Sequence, residues 1–567
     1  MKREVSLLDD DNVPGLRPED AILAQWAVDE ARRLGADYAD ARWGLLETLR
    51  IRFKNGRVAP LARTYSRGLG LRVVVDGAWG FASHPLLPVT SHAFVTGTLD
   101  GGTMDRDEMG PDDEDMPPIS SIDDIFEAEP SLGDAAERPG MAPVPHHQMK
   151  EVVENVASQA CALARAASAS VRRPVRLAPA EPQTGFWRTP CERDPFLVPL
   201  EEIIEVLSLV ESAARRAEKG LVSAEALMTA WRRAHWLCTS EGTLVLQDVV
   251  ECGGGMRVLA HRGGITQERS FPGLRGNHAE TGGYERFLAL GLVEAAGRIA
   301  SEAAELTTAP PCPSVTADLV IDGATAAVQI HETVGHAVEL DRVLGAEESL
   351  AGGSHLTPGK MGWFRFGSDI VSVVADATSP HGLGTFGFDD EGTPASRHDV
   401  IRNGIFSGYL SSRDTGARLG IPSGGSLRGQ DWSHLPLIRM TNVNLLPGGW
   451  EFEEILRDTE RGFYFETPKN PSIDHQRLNF FLPAEIAWEI RDGKRVRMFR
   501  DPSYGGISHK LWRSCDAIAD GRHWRLWGIP SCGKGDPGQT GHVGHGASPL
   551  RMRGVRLGTG PSTGAAG

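Results

Sequence analysis

Asp318-Leu319-Val320-Ile321-Asp322-Gly323-Ala324-Thr325-Ala326-Ala327-Val328-Gln329-Ile330-His331-Glu332-Thr333-Val334-Gly335-His336 is the stretch around which this chain is organised. Asp318 to Asp322 reads as a short strand and Gly323 as a turn. From Ala324 a helix is expected, with Ala326, Ala327, Ile330 and Val334 as its apolar stripe. The helix runs into two imidazoles with a carboxylate beside the first. Neutral imidazole nitrogens bind zinc, and an adjacent glutamate can take a proton from water at such a site. The spacing is unusual. Histidines four apart sit about 40° apart on an ideal helix, whereas His331 and His336, five apart, sit about 140° apart. They share a metal only if the helix widens to π geometry or ends within the motif. Gly335 is the residue most tolerant of such a distortion. The competing reading is a surface helix with two solvated histidines.

At 567 residues the chain exceeds a single core, so roughly two to four domains are expected. A hydrophobic share of 40% with 24% charged residues places it among soluble globular proteins. The first twelve residues lack the apolar core of a signal peptide, and no run approaches a membrane span. Seven cysteines (Cys161, Cys191, Cys238, Cys252, Cys312, Cys515 and Cys532) are scattered without a paired framework. That suits a reducing cytoplasm and leaves one free to be a metal ligand. The net charge of −16 is concentrated: residues 100–138 hold 14 acids against 2 bases, leaving −4 for the rest. Nothing resembles a basic stripe, which disfavours nucleic-acid binding.

Working outward, Pro18 to Leu34 reads as an amphipathic helix stopped by Gly35. Strands follow at Tyr38–Trp43, Thr48–Lys54 and Arg57–Leu61, with an Asn55-Gly56 hairpin turn, and again at Gly70–Val75 and Trp79–Ser83. The acid-rich, aperiodic segment 100–145 reads as a disordered insertion. Helices are expected over Lys150–Ala167, Leu200–Lys219 and Tyr284–Leu306, the last ended by Pro310-Pro311. Strands and turns dominate after the opening motif. The fold class is α+β: a helix plus antiparallel-sheet domain at 1–99, the insertion, a middle α+β domain at 146–280, and a mainly antiparallel β domain at 281–567 carrying one active-site helix.

In this order the pieces resemble the TldD/PmbA family: Trp79-Gly80-Phe81-Ala82-Ser83; Asp194-Pro195-Phe196; the H-E-T-V-G-H hexapeptide followed by Glu339 and Asp341; F-D-D-E-G-T-P at 388–394; R-M-T-N at 439–442; and C-G-K-G at 532–535. The matches cover most of the chain outside 100–145. One branch of the family carries H-E-x-x-x-H and the other, PmbA-like (also called TldE), lacks it, so this sequence looks like a TldD-type, metal-competent member. Two departures stand out. Ala337 and Leu340 replace glycines that the family often has, and the acidic insertion has no counterpart.

The resemblance implies a cytoplasmic zinc metalloprotease that cuts unfolded peptides, working as a heterodimer with a metal-free paralogue or as a homodimer. It implies His331, His336 and Cys532 as zinc ligands and Glu332 as general base. Three protein ligands leave a fourth position open for catalysis. A thiolate ligand makes the zinc a weaker Lewis acid than a third histidine would, so Glu332 must compensate. The alternative is a non-hydrolytic peptide-binding or scaffold subunit with a structural metal, which a closed four-ligand sphere would support.

Other residues carry paired readings. Cys532 is a ligand or an ordinary buried cysteine, its Gly/Lys-rich setting favouring the ligand. His542 and His545 read as a solvated loop rather than as completing the site. Glu339 and Asp341 either orient the histidine N–H groups or end a helix in solvent. Asp389, Asp390 and Glu391 read as a structural turn rather than a second metal site. Arg439 and Asn442 hold either a peptide backbone or a loop.

Overall fold

The computed structural model describes residues 13–59, 61–94, 146–347 and 352–558. The expected insertion at 100–145 lies outside the described residues.

Alternation organises the first half. In the strand Tyr38–Lys54, Ala39, Ala41, Trp43 and Leu45 enter one apolar core and Leu49 and Ile51 another. Odd positions share one face of a strand, so both cores lie on the same side of one sheet. Helices Pro18–Arg33 and His146–Ser168 pack into the first core, Leu200–Ala217 and Leu292–Leu306 into the second. Among the described residues the sheet has nine strands. Its main path runs Ala78–Phe94, Leu61–Val75, Tyr38–Lys54, Leu221–Thr239, Leu244–Arg262, Thr184–Arg188, antiparallel except for the last pair.

The structure corrects three expectations here. The strands expected at Tyr38–Trp43 and Thr48–Lys54 are one continuous element. The units expected at 1–99 and 146–280 share this single sheet, since Tyr38–Lys54 pairs with Leu61–Val75 on one side and Leu221–Thr239 on the other. The helix expected over Tyr284–Leu306 is two, Tyr284–Leu288 and Leu292–Leu306, broken at Gly291 with φ 63°. The second of these buries Ala296, Ile299, Ala300 and Ala303 in the first unit's core. The chain therefore leaves that unit after Leu306 rather than at 281.

The second half centres on an eight-stranded sheet. Its main path runs Ser472–Ile473, Asn479–Arg491, Arg461–Pro468, Thr316–Ile321, Leu550–Arg556, Cys515–Ile518, with one parallel pair, Thr316–Ile321 with Arg461–Pro468. Beside it lie a four-stranded sheet containing Val443–Leu445 and a two-stranded ribbon of Arg525–Lys534 with Gln539–Ala547. The helix Gly323–Ile330, buried at all eight positions, follows Thr316–Ile321 directly. The α+β class with mainly antiparallel sheets is the one the chain adopts. Among the described residues no helix is long and apolar enough to cross a membrane.

The polar face of the nine-stranded sheet meets the second half through buried polar contacts. Arg42 pairs with Asp390 at 2.9 Å and Arg72 with Glu391 at 3.4 Å. Gln247 donates to the Phe388 carbonyl at 2.7 Å, and His542 pairs with Glu251 at 2.6 Å. F-D-D-E-G-T-P is thus the joint between the two halves. Within it the Asp389 carboxylate accepts the N–H groups of Glu391, Thr393 and Leu427 and so closes the turn.

Candidate metal centre

Asp322 caps the site helix, its carboxylate accepting the Thr325 N–H at 2.8 Å. Such a cap is worth about 1 kcal/mol. The helix then changes pitch. His331–Gly335 forms a π turn, in which the His336 N–H reaches the His331 carbonyl five residues back, and His336–Val338 tightens to a 3-10 turn. The wide turn brings the two imidazoles together, ring centroids 4.7 Å apart. Of the two distortions anticipated from the spacing, the π widening occurs, while the helical path continues through His336 to Val338.

Two side chains hold this geometry. The Thr333 hydroxyl donates to the Gln329 carbonyl one turn back and accepts from Trp512 Nε1 at 2.9 Å, and such back-bonding bends helices. Gly335 acts differently from expectation. Its φ of −52° and ψ of −60° are ordinary right-handed values, so the glycine's conformational freedom is unused. A Cβ there would meet Met440 Sδ at 2.1 Å. Gly335 makes room for the methionine of R-M-T-N.

Cys532 arrives on the ribbon strand Arg525–Lys534, just past a register break between Ile529 and Cys532. Its sulfur lies 3.6 Å from His336 Nε2. Donor atoms of His331, His336 and Cys532 all fall within 4.8 Å of one another. The Arg439 guanidinium donates to the Cys532 carbonyl. Asn442 accepts the Gly384 N–H at 2.9 Å and donates to the Asp376 carbonyl at 2.8 Å. Arg439 and Asn442 of R-M-T-N therefore both hold main chain of this protein.

The protonation states suit a metal. The Nδ1 of His336 donates to Glu339 Oε2 at 2.9 Å, leaving Nε2 toward the sulfur. Burial alone would raise the Glu339 carboxyl. Lys534, His336 and Arg342 outweigh it and hold Glu339 well below its ordinary range. His545 Nδ1 lies 3.1 Å from the Val443 carbonyl, an acceptor only, so that nitrogen carries the proton. Its Nε2 then accepts from His331 Nδ1 at 2.8 Å, which leaves His331 Nε2 as a bare lone pair. Burial lowers the imidazoles of both His331 and His336. Burial would raise the Cys532 thiol, but His336 and Arg439 overcome it and bring it below its usual value. Neutral imidazoles and a thiolate-prone sulfur are the forms that bind zinc, so the residues present fit that ion.

Glu332 stands outside the donor set. Its side chain is 17% exposed and accepts Arg477 Nη1 at 3.1 Å. It lines a cavity of about 590 Å³ with His331, His336, Cys532, Arg477 and Ile473. The size suits a small-molecule or peptide site.

The remaining sequence readings divide. Glu339 orients His336, whereas Asp341 touches neither histidine and instead pairs with buried Lys534 at 2.8 Å. His542 and His545 are not a solvated loop: both are buried on the strand Gln539–Ala547. His542 belongs to the joint with Glu251, and His545 to the metal centre. Arg477 was missed, and its sequence context carries no motif.

Three family models match in order: PmbA/TldA metallopeptidase domain 1 at residues 39–86, the central domain at 193–309 and the C-terminal domain at 314–558. A metalloprotease of Methanothermobacter thermautotrophicus is 26% identical over 526 residues, 92% of this chain and 95% of its own. A zinc metalloprotease TldD homolog of Saccharolobus solfataricus is 28% identical over 231 residues, 40% of this chain and 48% of its own. Among solved structures, TldE of Thermococcus kodakarensis has the same fold, with a TM-score of 0.65 at 15% identity, covering 95% of this chain and 100% of that one. With all three domains matched in order, the chain belongs to the PmbA/TldD family of metallopeptidases.

Proposed function

We propose that the chain is a zinc-dependent peptidase of the TldD type that cleaves unfolded or extended peptides. One observation carries the reading: three convergent donors, His331, His336 and Cys532, face a cavity beside a carboxylate, Glu332, that is not one of them. Zinc held by the three donors supplies Lewis acidity to the scissile carbonyl. Glu332 takes the proton of the attacking water and returns it to the leaving amine. A recess of about 590 Å³ accepts an extended segment but not a folded surface. Among the described residues the donor cluster has three members, one short of a closed structural zinc sphere. That count argues against the scaffold reading.

The likeness to the T. kodakarensis TldE supports assembly with a TldE-like paralogue, or with a second copy where none exists. All seven cysteines are free thiols, which supports a cytoplasmic setting.

Glu332→Gln tests the function. A near-isosteric amide leaves the histidines in place, so zinc content should stay at the wild-type level. Cleavage of an unstructured peptide should fall by roughly two to four orders of magnitude. Wild-type cleavage by this variant would refute the mechanism, and loss of zinc would make Glu332 a ligand.

A further inference from the structure

Arg477 sits in the loop between the edge strand Ser472–Ile473 and the strand Asn479–Arg491. Its N–H closes a turn onto the Asp474 carbonyl at 3.0 Å, and its own carbonyl accepts the Ser508 hydroxyl at 2.9 Å. The Asp474 carboxylate pins the loop by accepting the N–H groups of Leu478 and Asn479. At the apex Arg477 stands at φ 58°. A bulky residue occupies that region at a cost, and such strain gathers at functional sites. Here it sends a long side chain under the loop, only 4% exposed, into the wall of the metal-centre cavity.

Among the described residues lining that cavity, Arg477 is the one arginine or lysine. Its single contact with Glu332, at 3.1 Å through Nη1, is not the bidentate fork by which arginine fixes a carboxylate. Its buried Nε has no partner. A guanidinium built only to hold Glu332 would grip it with two donors rather than one.

The chemistry of the donor set says what that charge is for. Water attack on a peptide carbonyl drives negative charge onto the carbonyl oxygen, and donors placed beforehand where that charge grows are commonly the largest catalytic contribution. A thiolate ligand gives more charge to the metal than a neutral imidazole, leaving less Lewis acidity for the substrate. A second positive group beside the scissile carbonyl meets the shortfall. We propose, on the peptidase reading above, that Arg477 is a catalytic residue whose guanidinium leaves Glu332 and donates to the scissile carbonyl oxygen as it becomes an oxyanion.

The step balances. The water oxygen forms the new C–O bond, its proton goes to Glu332, and the carbonyl π pair moves to the oxygen beside Arg477. On collapse that pair re-forms the C=O bond, the C–N bond breaks, and Glu332 returns the proton to the amine nitrogen. The new carboxylic acid then loses its proton to solvent. The exchange of partners also frees Glu332 from a cation when it must act as a base.

The test uses the full zinc-loaded chain, an unstructured fluorogenic peptide and a phosphinic peptide whose tetrahedral anion imitates the oxyanion. Arg477→Ala should lower kcat roughly 100- to 1,000-fold, with zinc content unchanged and KM within a few-fold. Arg477→Lys, which keeps a charge, should fall between the two. In a Glu332→Gln background, where the base is already absent, Arg477→Ala should weaken phosphinic-peptide binding at least about tenfold while leaving affinity for the uncleaved peptide intact. Unchanged phosphinic affinity there, even with a lowered kcat, would overturn the proposal, because Arg477 would then act only through Glu332. If the wild type neither cleaves peptide nor binds the phosphinic peptide, the peptidase reading fails and takes this role with it. If the wild type cleaves and Arg477→Ala cleaves equally well, only the role of Arg477 fails.

Discussion

His331 and His545, 214 positions apart, are joined by a 2.8 Å hydrogen bond from His331 Nδ1 to His545 Nε2. The Val443 carbonyl fixes the direction of that bond by claiming the other nitrogen of His545. A helix, a ribbon strand and a neighbouring sheet therefore act together on one tautomer.

Removing His545 should loosen the metal without deleting a ligand. Groups that orient a metal-bound histidine typically contribute about 10- to 100-fold in affinity. His545→Ala should lose zinc to a chelator that much more readily, and His545→Gln, whose carbonyl can still accept from His331, should recover part of it. Chelator competition decides the matter, and equal zinc affinity in all three proteins would remove His545 from the centre. By contrast, His331→Ala, His336→Ala and Cys532→Ala should each lower zinc stoichiometry outright.

Gly335→Ala tests why the hexapeptide contains a glycine. Backbone freedom predicts little effect at φ −52°. Close packing against Met440 Sδ, 2.1 Å from the added methyl, predicts strain. Overpacking of this kind costs about 1–3 kcal/mol, so the variant should unfold at a lower denaturant midpoint. Met440→Ala in the same chain should relieve part of that loss, and simple additivity of the two changes would point away from the contact.

The site helix and its distortion were legible because they rest on local signals, whereas Cys532 entered only through the family resemblance. The short strand before Gly323 and the apolar stripe after it mark a strand followed by a helix, and the five-residue spacing itself demanded a distortion that the π turn supplies. His545 was not legible. The glycines of Gly541-His542-Val543-Gly544-His545-Gly546 read as a loop, but they are strand residues thinned for close approach. A Cβ on Gly544 would meet Asn442 Oδ1 at 2.1 Å, and one on Gly546 would meet Trp524 at 1.9 Å. The alternation of Val543, His545 and Ala547 was the available signal. Arg477 offered less, since what matters is a backbone angle and a cavity wall made by folding. The break at Gly291 was missed because apolar spacing continued through it.

Acid sensitivity should carry the imprint of a histidine outside the metal centre. Burial pulls His355 down to about 4. Folded, it stays neutral, while in the unfolded chain it takes up a proton below about 6.5. The unfolded state then binds more protons, so this contribution to stability is lost as pH falls from about 6.5 toward 4, at about 1.4 kcal/mol per pH unit. Asp322 and Glu485, pushed up by burial to about 6 and about 7, titrate in the same window with the opposite sign. The useful measurement is therefore a difference. His355→Phe should gain stability relative to wild type as pH drops from 7 to 5, and parallel curves for the two proteins would exclude the effect.

The joint between the two halves can be tested through Arg42 and Asp390. Their side chains are 3% and 8% exposed and meet at 2.9 Å. Asp390 also accepts the Gly429 N–H at 2.7 Å, while Arg42 reaches the carbonyls of Asp431 and His434. Deleting one partner of such a pair strands a buried charge, at a cost of about 3–5 kcal/mol. Asp390→Ala should therefore be strongly destabilising in denaturant unfolding. Arg42→Met combined with Asp390→Ala removes the stranded charge along with its partner, so the double variant should be more stable than Asp390→Ala alone. Zinc content of the folded fraction should be unchanged in both, because neither residue touches the metal centre. If the double variant loses the full sum of the two single changes, the pair is not coupled, and F-D-D-E-G-T-P holds the halves together through its turn and the Gln247 contact instead.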